Sequence, residues 1–598
     1  MSTRSRDITG ALDLAESQYR AGPMQERRPR YTDLLPPCNN ACPAGENIQA
    51  WLSYVRRGDD ETAWRQLTQD NPFPAIHGRV CYHPCETSCN RADLDETVGI
   101  HGVERHLGDA AIAGGWRYPT PLAESGRRVL VVGAGPSGLS AAFHLRQLGH
   151  DVEIRDNSAE PGGMMRYGIP AYRLPRDVLD AEIARLVDSG VRIVCDHTVT
   201  DLQAEREGFD AVFVAVGAHL SRRTDIPAQD SASLIDAVSF LRGAASGQEP
   251  AGGERTPQDT TDEARPLLGR RVAVYGGGNT AMDAARTARR LGAESATIIY
   301  RRTRAQMPAH EEEATDAEAE GVRMNWLRTI HDVGEKVTVE VMELDENGWP
   351  VGTGRFEELE ADTVILALGQ TTDTSLLSTV PGIEFSADGV VQVDPRTLMT
   401  GAPGVFAGGD AVPSERTVTV GTGHGKRAAR AIDAYLRATV GDDTPAPGPA
   451  AAAGKHSAAP GNHREPVGFN ELNLWYFGPQ HSRRAHSELT ERERVSSFGE
   501  VVGGYTPEQA RFEATRCLSC GNCFECDGCV GSCPESAVLP LGPGNRYEFD
   551  YERCTGCGSC HDQCPVHAIE MVPQAETGDG RARPLDWALL QRQEGDAR

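Results

Sequence analysis

Long apolar runs are missing from this sequence. No stretch of about 18 consecutive apolar residues occurs, so no membrane-spanning helix is expected. The opening segment, MSTRSRDITGALDLAESQYR, lacks the apolar core of a secretory signal, so no export is expected. Basic excess is missing too. A net charge of −26 argues against nucleic acid or an anionic membrane as partner, because both reward basic patches. Protein partners stay open. Isolated cysteines are nearly absent. Of 16 cysteines, 15 fall in two groups, Cys38 to Cys89 and Cys517 to Cys564. Cys195, in VRIVCDHT, stands apart and reads as a small hydrophobe at a strand end. Clustered thiols in a long chain without an export signal read as metal ligands in a reducing cytoplasm, not as disulfides. A chain of this size needs no disulfides for stability.

The 598 residues are enough for roughly four domains at about 150 residues each. The 39% hydrophobic content is a little low, which linkers and charged helices explain. Residues 1–120 carry five cysteines and helical patterning, as in NIQAWLSYVRRGDDETAWRQL. Residues 121–266 open on a strand, RRVLVVGAG, and end in a Gly/Glu/Pro/Thr-rich surface insertion from 243. Residues 267–369 begin again with RRVAVYGGG, and 370–437 return to strands and helices around GVFAGGDAV. A low-complexity linker (438–466), a connector (467–515) and a cysteine-rich end (516–598) complete the chain. Two duplications stand out. The strand–glycine turn–helix unit occurs twice. Adding 31 to Cys523, Cys526, Cys529 and Cys533 gives Cys554, Cys557, Cys560 and Cys564.

Gly133, Gly135 and Gly138 lie between an apolar strand and a helix. The first glycine makes the tight turn, the second lets the backbone approach a pyrophosphate, and the third allows close helix–strand packing. A second strand, DVEIRD, ends in Asp156, placed to bind a ribose hydroxyl. Gly276, Gly278, Asn279 and Ala281 repeat the device, but here the second strand runs into Arg301 and Arg302. Arginine suits a 2′-phosphate through charge-assisted hydrogen bonds, so NADPH is expected over NADH. The acidic run HEEE at 310–313 reads as a solvated helix face.

PGGMMRYGIPAYRLP, GGGNTAMD, YRRTRAQMPAHEEE and GVFAGGDAV resemble the flavin-bearing small subunit of NADPH-dependent glutamate synthase and its relatives, over residues 30–437. The resemblance implies a multidomain α/β chain. An α-helical iron–sulfur domain comes first, then two Rossmann-like domains, the FAD domain interrupted by the NADPH domain. It assigns Gly133, Gly135, Gly138, Asp156, Gly409 and Asp410 to FAD and puts Met164, Arg166 and Tyr167 near the isoalloxazine ring. No catalytic acid or base is implied, since the cofactors carry the chemistry.

The C-terminal run C-x2-C-x2-C-x3-C-P, twice over, predicts an α+β bacterial ferredoxin-like module with two [4Fe–4S] clusters. In such modules the fourth cysteine of each run serves the other cluster. One cluster then takes Cys523, Cys526, Cys529 and Cys564, the other Cys554, Cys557, Cys560 and Cys533. Zinc is the runner-up metal. The N-terminal cysteines resemble the iron–sulfur segment shared with dihydropyrimidine dehydrogenase. That resemblance implies a cluster on Cys42, Cys81, Cys85 and Glu104, the alternative being a surface glutamate in a helix. It also implies a second cluster on Cys38, Cys89 and an upstream C-x2-C, yet residues 1–37 contain no cysteine. Cys517 and Cys520 form an unassigned C-x2-C. If they join Cys38 and Cys89, four clusters take 15 cysteines and Glu104. Otherwise they are spare thiols and three clusters form.

These parts form a wire from NADPH through FAD and the N-terminal clusters to the ferredoxin-like end. The tail, with LNLWYF at 472–477, is similar to flavoproteins associated with thiamine-dependent 2-oxoacid:ferredoxin oxidoreductases. The expected partner is therefore ferredoxin or such an oxidoreductase, in a hetero-oligomer. Two rivals are a glutamate synthase small subunit serving a large amidotransferase chain, and a non-catalytic redox sensor.

Overall fold

The computed structural model describes residues 27–221, 226–227, 233–246, 269–439, 465–478, 482–542 and 546–573. Most of the expected insertion and almost all of the expected linker lie outside them.

The N-terminal region is helical, as expected. Helices Ile48–Arg57, Asp60–Leu67, Pro74–Val80 and Ile100–Gly114 bury Trp51, Trp64, Phe73 and Leu107. Local chemistry sets their ends. The Asp59 carboxylate accepts from Thr62 N–H to start one helix. Gly58, at φ 79°, closes the one before it in a conformation most side chains avoid. Helices Pro74–Val80 and Ile100–Gly114 touch backbone to backbone. A Cβ on Gly78 would lie 2.4 Å from Arg105 N, and one on Gly108 would lie 2.2 Å from Ala75 N. This close crossing brings Cys81, just past one helix, beside Glu104 on the other.

Two parallel five-stranded sheets follow. The first has the order Val405–Ala407, Ala211–Val214, Arg128–Val132, Asp151–Arg155, Arg192–Val194. Its edge strand, Val405–Ala407, follows the strands of the second sheet in the chain. Cys195 follows the last strand, at a strand end. The second sheet runs Arg323–Trp326, Ser295–Tyr300, Arg271–Tyr275, Thr363–Leu366, Ser233–Asp236. Ser233–Asp236 precedes the boundary drawn at 267, so the second domain begins earlier than its glycine motif announces. An antiparallel meander, Arg328–Val333, Val337–Leu344 and Pro350–Leu359, is inserted in it.

The acidic run at 310–313 is only partly a solvated face. Glu311 and Glu312 are exposed, but Glu313 is buried, pairing with Arg173 and, at 3.4 Å, with Arg286. Arg173 also binds Asp283 at 2.9 Å, and Arg286 binds Glu320 at 2.8 Å. Tyr172 lies under Arg290 at 3.7 Å. Tyr172 and Arg173 thus clamp the second nucleotide domain onto the first.

The two ends of the chain form one body. Strand Arg27–Tyr31 pairs antiparallel with Ile569–Pro573, Arg27 opposite Pro573 and Tyr31 opposite Ile569. Tyr31 stacks on Phe549 at 4.8 Å, and Tyr551 Oη donates to the Pro29 carbonyl at 2.7 Å. The connector binds everything else. Glu500 pairs with Arg79 at 2.7 Å and Arg105 at 3.0 Å, Val501 N–H donates to Tyr172 O at 3.0 Å, and Arg494 pairs with Asp316 at 3.2 Å. Among the described residues no helix is long and apolar enough to cross a membrane.

Candidate nucleotide and iron–sulfur sites

A cavity of about 320 Å³ opens at the carboxyl ends of the first sheet. Gly133, Gly135, Asp156, Met164, Tyr167, Gly409 and Asp410 line it. The three glycines do different work. A Cβ on Gly133, at φ 105°, would strike Ala215 O at 2.4 Å, and one on Gly138 would strike Gly133 O at 1.9 Å. One on Gly135 would meet nothing within 4 Å. That open face, at the start of helix Pro136–Gln147, is where a phosphate can approach bare backbone. Asp156 is fixed by Ala134 N–H at 2.6 Å and Ser158 N–H at 2.7 Å. Burial pushes the Asp410 carboxyl up to about 6. Ser137 Oγ is buried without a hydrogen-bond partner among the described residues, which fits a polar ligand in the cavity. Arg166 follows Met164 in the same short helix but is not among the residues lining the cavity. Its guanidinium donates to the Pro161 carbonyl and pairs with Asp180, away from the cavity wall.

The second cradle opens into the same cavity through Asn279. Gly276, at φ 151°, backs onto Ala367 O, Gly278 faces open space, and Ala281 is fully buried. Beyond the second strand, Arg301 is exposed and Arg302 sits over the Trp349 ring at 4.9 Å.

The thiols gather in four groups. Cys42, Cys81, Cys85 and Glu104 line one cavity, and Glu104 is buried there, not a surface glutamate. Cys38, Cys89, Cys517 and Cys520 line a second. Cys533, Cys554, Cys557 and Cys560 line a third. Cys523, Cys526, Cys529 and Cys564 lie close enough to perturb one another. In each group the fourth cysteine of one C-terminal run lies beside the first three of the other. Burial, reinforced by neighbouring charge, pushes Cys81 and Cys560 up to about 12 and Cys517 up to about 11. Thiols so placed ionise only when a cation offsets their charge, and iron supplies one. The donor sets therefore fit clusters.

Several residues at these sites were not anticipated from the sequence. Glu46, His77 and Thr419 line the Cys42 cavity. Tyr82 lines the nucleotide cavity. Only Glu46, four residues past Cys42 in CPAGEN, had a spacing that hinted at its place.

A pyridine nucleotide-disulphide oxidoreductase model matches residues 127–432. A model of dihydropyrimidine dehydrogenase domain II, 4Fe-4S cluster, matches 31–116, and a 4Fe-4S binding domain matches 547–570. The chain is 38% identical to the NADP(+)-dependent formate dehydrogenase subunit beta of Moorella thermoacetica, over 81% of this chain and 70% of that protein. It is 33% identical to the NADPH-Fe(3+) oxidoreductase subunit beta of Geobacter sulfurreducens, over 81% and 75%. It is 34% identical to the glutamate synthase [NADPH] small chain of Azospirillum brasilense, over 68% and 87%. The chain therefore belongs to the pyridine nucleotide-disulphide oxidoreductase family, as an NAD(P)H-dependent flavin and iron–sulfur oxidoreductase subunit akin to the glutamate synthase small chain.

Proposed function

We propose that the chain is an NADP(H)-facing electron-transfer subunit that exchanges electrons with ferredoxin or with a 2-oxoacid:ferredoxin oxidoreductase through four [4Fe–4S] clusters in series. One observation carries this reading: Cys38 and Cys89 from one end of the chain share a cavity with Cys517 and Cys520 from the other. With a cluster there, the wire has no gap. A bound flavin would accept one hydride, two electrons with a proton, from nicotinamide and could pass the two electrons on one at a time. The protein supplies the order. Val80 and Tyr82 face the nucleotide cavity while Cys81, between them, faces the first cluster cavity. Helix Pro37–Ala41 and Cys42, which ends it, carry Cys38 to the second cavity and Cys42 to the first. Cys520 and Cys523 then hand over to the C-terminal pair.

A second reading is favoured by the 38% identity to a formate dehydrogenase beta subunit over 81% of this chain. The partner would then be a formate-oxidising subunit. The glutamate synthase small chain of Azospirillum brasilense matches over only 68% of this chain, and a large subunit with its own electron acceptors has no use for a ferredoxin tail. Family membership disfavours the pure sensor reading.

Anaerobic affinity purification of this chain from its own host, with mass identification of its companions, tests the proposal. Thiamine-enzyme chains, or ferredoxin, support it. A formate-oxidising chain selects the second reading. A large amidotransferase chain overturns both.

A further inference from the structure

The first cluster cavity holds more carboxylate than a cluster with three thiolates and one glutamate needs. Glu46 lies in it beside Glu104. Both are buried, at 3% and 6% exposure. Asn71, fully buried, joins them: its side-chain amide donates to Glu46 Oε1 at 3.0 Å and to Glu104 Oε1 at 2.8 Å. Its own carbonyl oxygen accepts from Phe73 N–H at 3.0 Å, which fixes which way the amide faces. Trp51 Nε1 donates to Glu46 Oε2 at 3.3 Å. Oxygen atoms of the two glutamates and a ring nitrogen of His77 all lie within 4.8 Å of one another.

Two buried acids among three thiols carry a desolvation cost, which Asn71 and Trp51 offset in part by donating hydrogen bonds to them. The Lys426 ammonium, which acts on Glu46, is itself held by Ala44 O at 2.6 Å, Gly45 O at 2.9 Å and Asp70 at 2.8 Å. Independently, His77 points to a ligand. It is 1% exposed, its Nε2 bonds Thr422 Oγ1 at 3.0 Å, and its Nδ1 has no partner among the described residues. A buried ring nitrogen left so is explained by a group in the cavity that the ring faces.

We propose that Glu46 is a second carboxylate ligand of this cluster, held by Asn71 and Trp51 so that it takes the non-cysteine iron corner when Glu104 leaves it. The inference rests on the reading that Cys42, Cys81 and Cys85 hold a cluster. Asn71 is the positioning residue: its two donations keep both oxygens on one side of the cavity. A hard carboxylate is a weaker partner for a thiolate-ligated cluster than sulfur, so exchange between two of them is chemically reasonable at that corner.

The test uses the full chain purified anaerobically, with iron and acid-labile sulfide counted per flavin and the electron paramagnetic resonance spectrum of the reduced protein recorded. Glu104→Ala should keep its full iron count, with an altered signal from one cluster. Glu46→Ala/Glu104→Ala should lose iron from one cluster, at unchanged flavin content. Glu46→Asp in the Glu104→Ala background keeps the charge but shortens the reach by one methylene, and should lose iron too. If the double alanine variant matches Glu104→Ala in iron and spectrum, or if Glu104→Ala alone empties the site, the proposal is overturned. Cys85→Ala separates the two levels: an unchanged iron count there overturns the cluster reading itself.

Discussion

Tyr82 lies flat against His310, ring centroids 3.4 Å apart and planes 6° from parallel. Tyr82 comes from the N-terminal iron–sulfur region, His310 from the second nucleotide domain. Asn279 Nδ2, at the start of that domain's glycine-turn helix, donates to Tyr82 Oη at 2.7 Å. A side chain next to Cys81 thus joins the second nucleotide cradle to the first cluster cavity.

Tyr82→Ala removes the stack and the hydrogen bond together. Each contributes about 0.5–1.5 kcal/mol to docking the two regions, so the protein should lose about 1–3 kcal/mol of stability and the NADPH concentration that half-saturates flavin reduction should rise. Tyr82→Phe keeps the stack and should show only the hydrogen-bond share. Rapid-mixing absorbance under argon, following flavin bleaching, measures both. Unchanged half-saturation in Tyr82→Ala would remove the residue from the nucleotide site.

Cys517→Ser/Cys520→Ser should lower iron from about sixteen to about twelve atoms per chain, because one of four clusters loses half its thiolates. The C-terminal pair should survive, since its eight cysteines lie elsewhere. NADPH should still bleach the flavin, while reduction of the C-terminal clusters slows. Wild-type iron near twelve per chain would mean that these thiols are spare.

Arg302→Ala and Arg301→Ala test the dinucleotide preference. A charge-assisted hydrogen bond contributes about 1.5–3 kcal/mol, so the loss of 2′-phosphate contact should raise KM for NADPH roughly 10- to 150-fold. KM for NADH should stay put. Arg302 already rests on Trp349; that stack limits the side chain's freedom and should make it the larger contributor. Equal effects on both dinucleotides would point to a structural role.

What the sequence made legible was whatever repeats at fixed spacing. Glycine turns at Gly133 and Gly276 and the 31-residue shift between cysteine runs are local patterns with one physical reading each. The shared cavity of Cys38, Cys89, Cys517 and Cys520 came from ligand counting, which needs no contact map. Illegible were contacts between distant segments. Nothing in RRPRY announces a partner strand at Ile569–Pro573, because a five-residue strand gains its pairing only when a sheet edge is presented to it. Glu313 in HEEE looks like its exposed neighbours Glu311 and Glu312, and only the approach of Arg173 and Arg286 makes its burial tolerable. Ser233–Asp236 was hidden for a similar reason. It lies before the glycine motif but pairs with Thr363–Leu366, which lies after it.

Arg516 shows how the cysteine beside it is held. It is fully buried and donates to Thr97 O at 2.9 Å, Glu96 O at 2.6 Å, Glu513 at 2.8 Å and Asp95 at 3.1 Å. Glu513, equally buried, also accepts Gly99 N–H at 2.9 Å and Arg484 N–H at 2.7 Å. This pair fastens the segment entering Cys517 to the loop leading into the helix that carries Glu104. Arg516→Met keeps most of the volume but leaves Glu513 a buried charge without its cation, a loss of about 3–5 kcal/mol. Anaerobic denaturation should show an earlier transition, with iron from the shared cavity released first. Adding Glu513→Gln removes the stranded charge and should recover part of the loss, although the single amide oxygen can accept from only one of Gly99 and Arg484, which bond opposite carboxylate oxygens. No recovery would mean that the carbonyls of Thr97 and Glu96, not the ion pair, are what Arg516 serves.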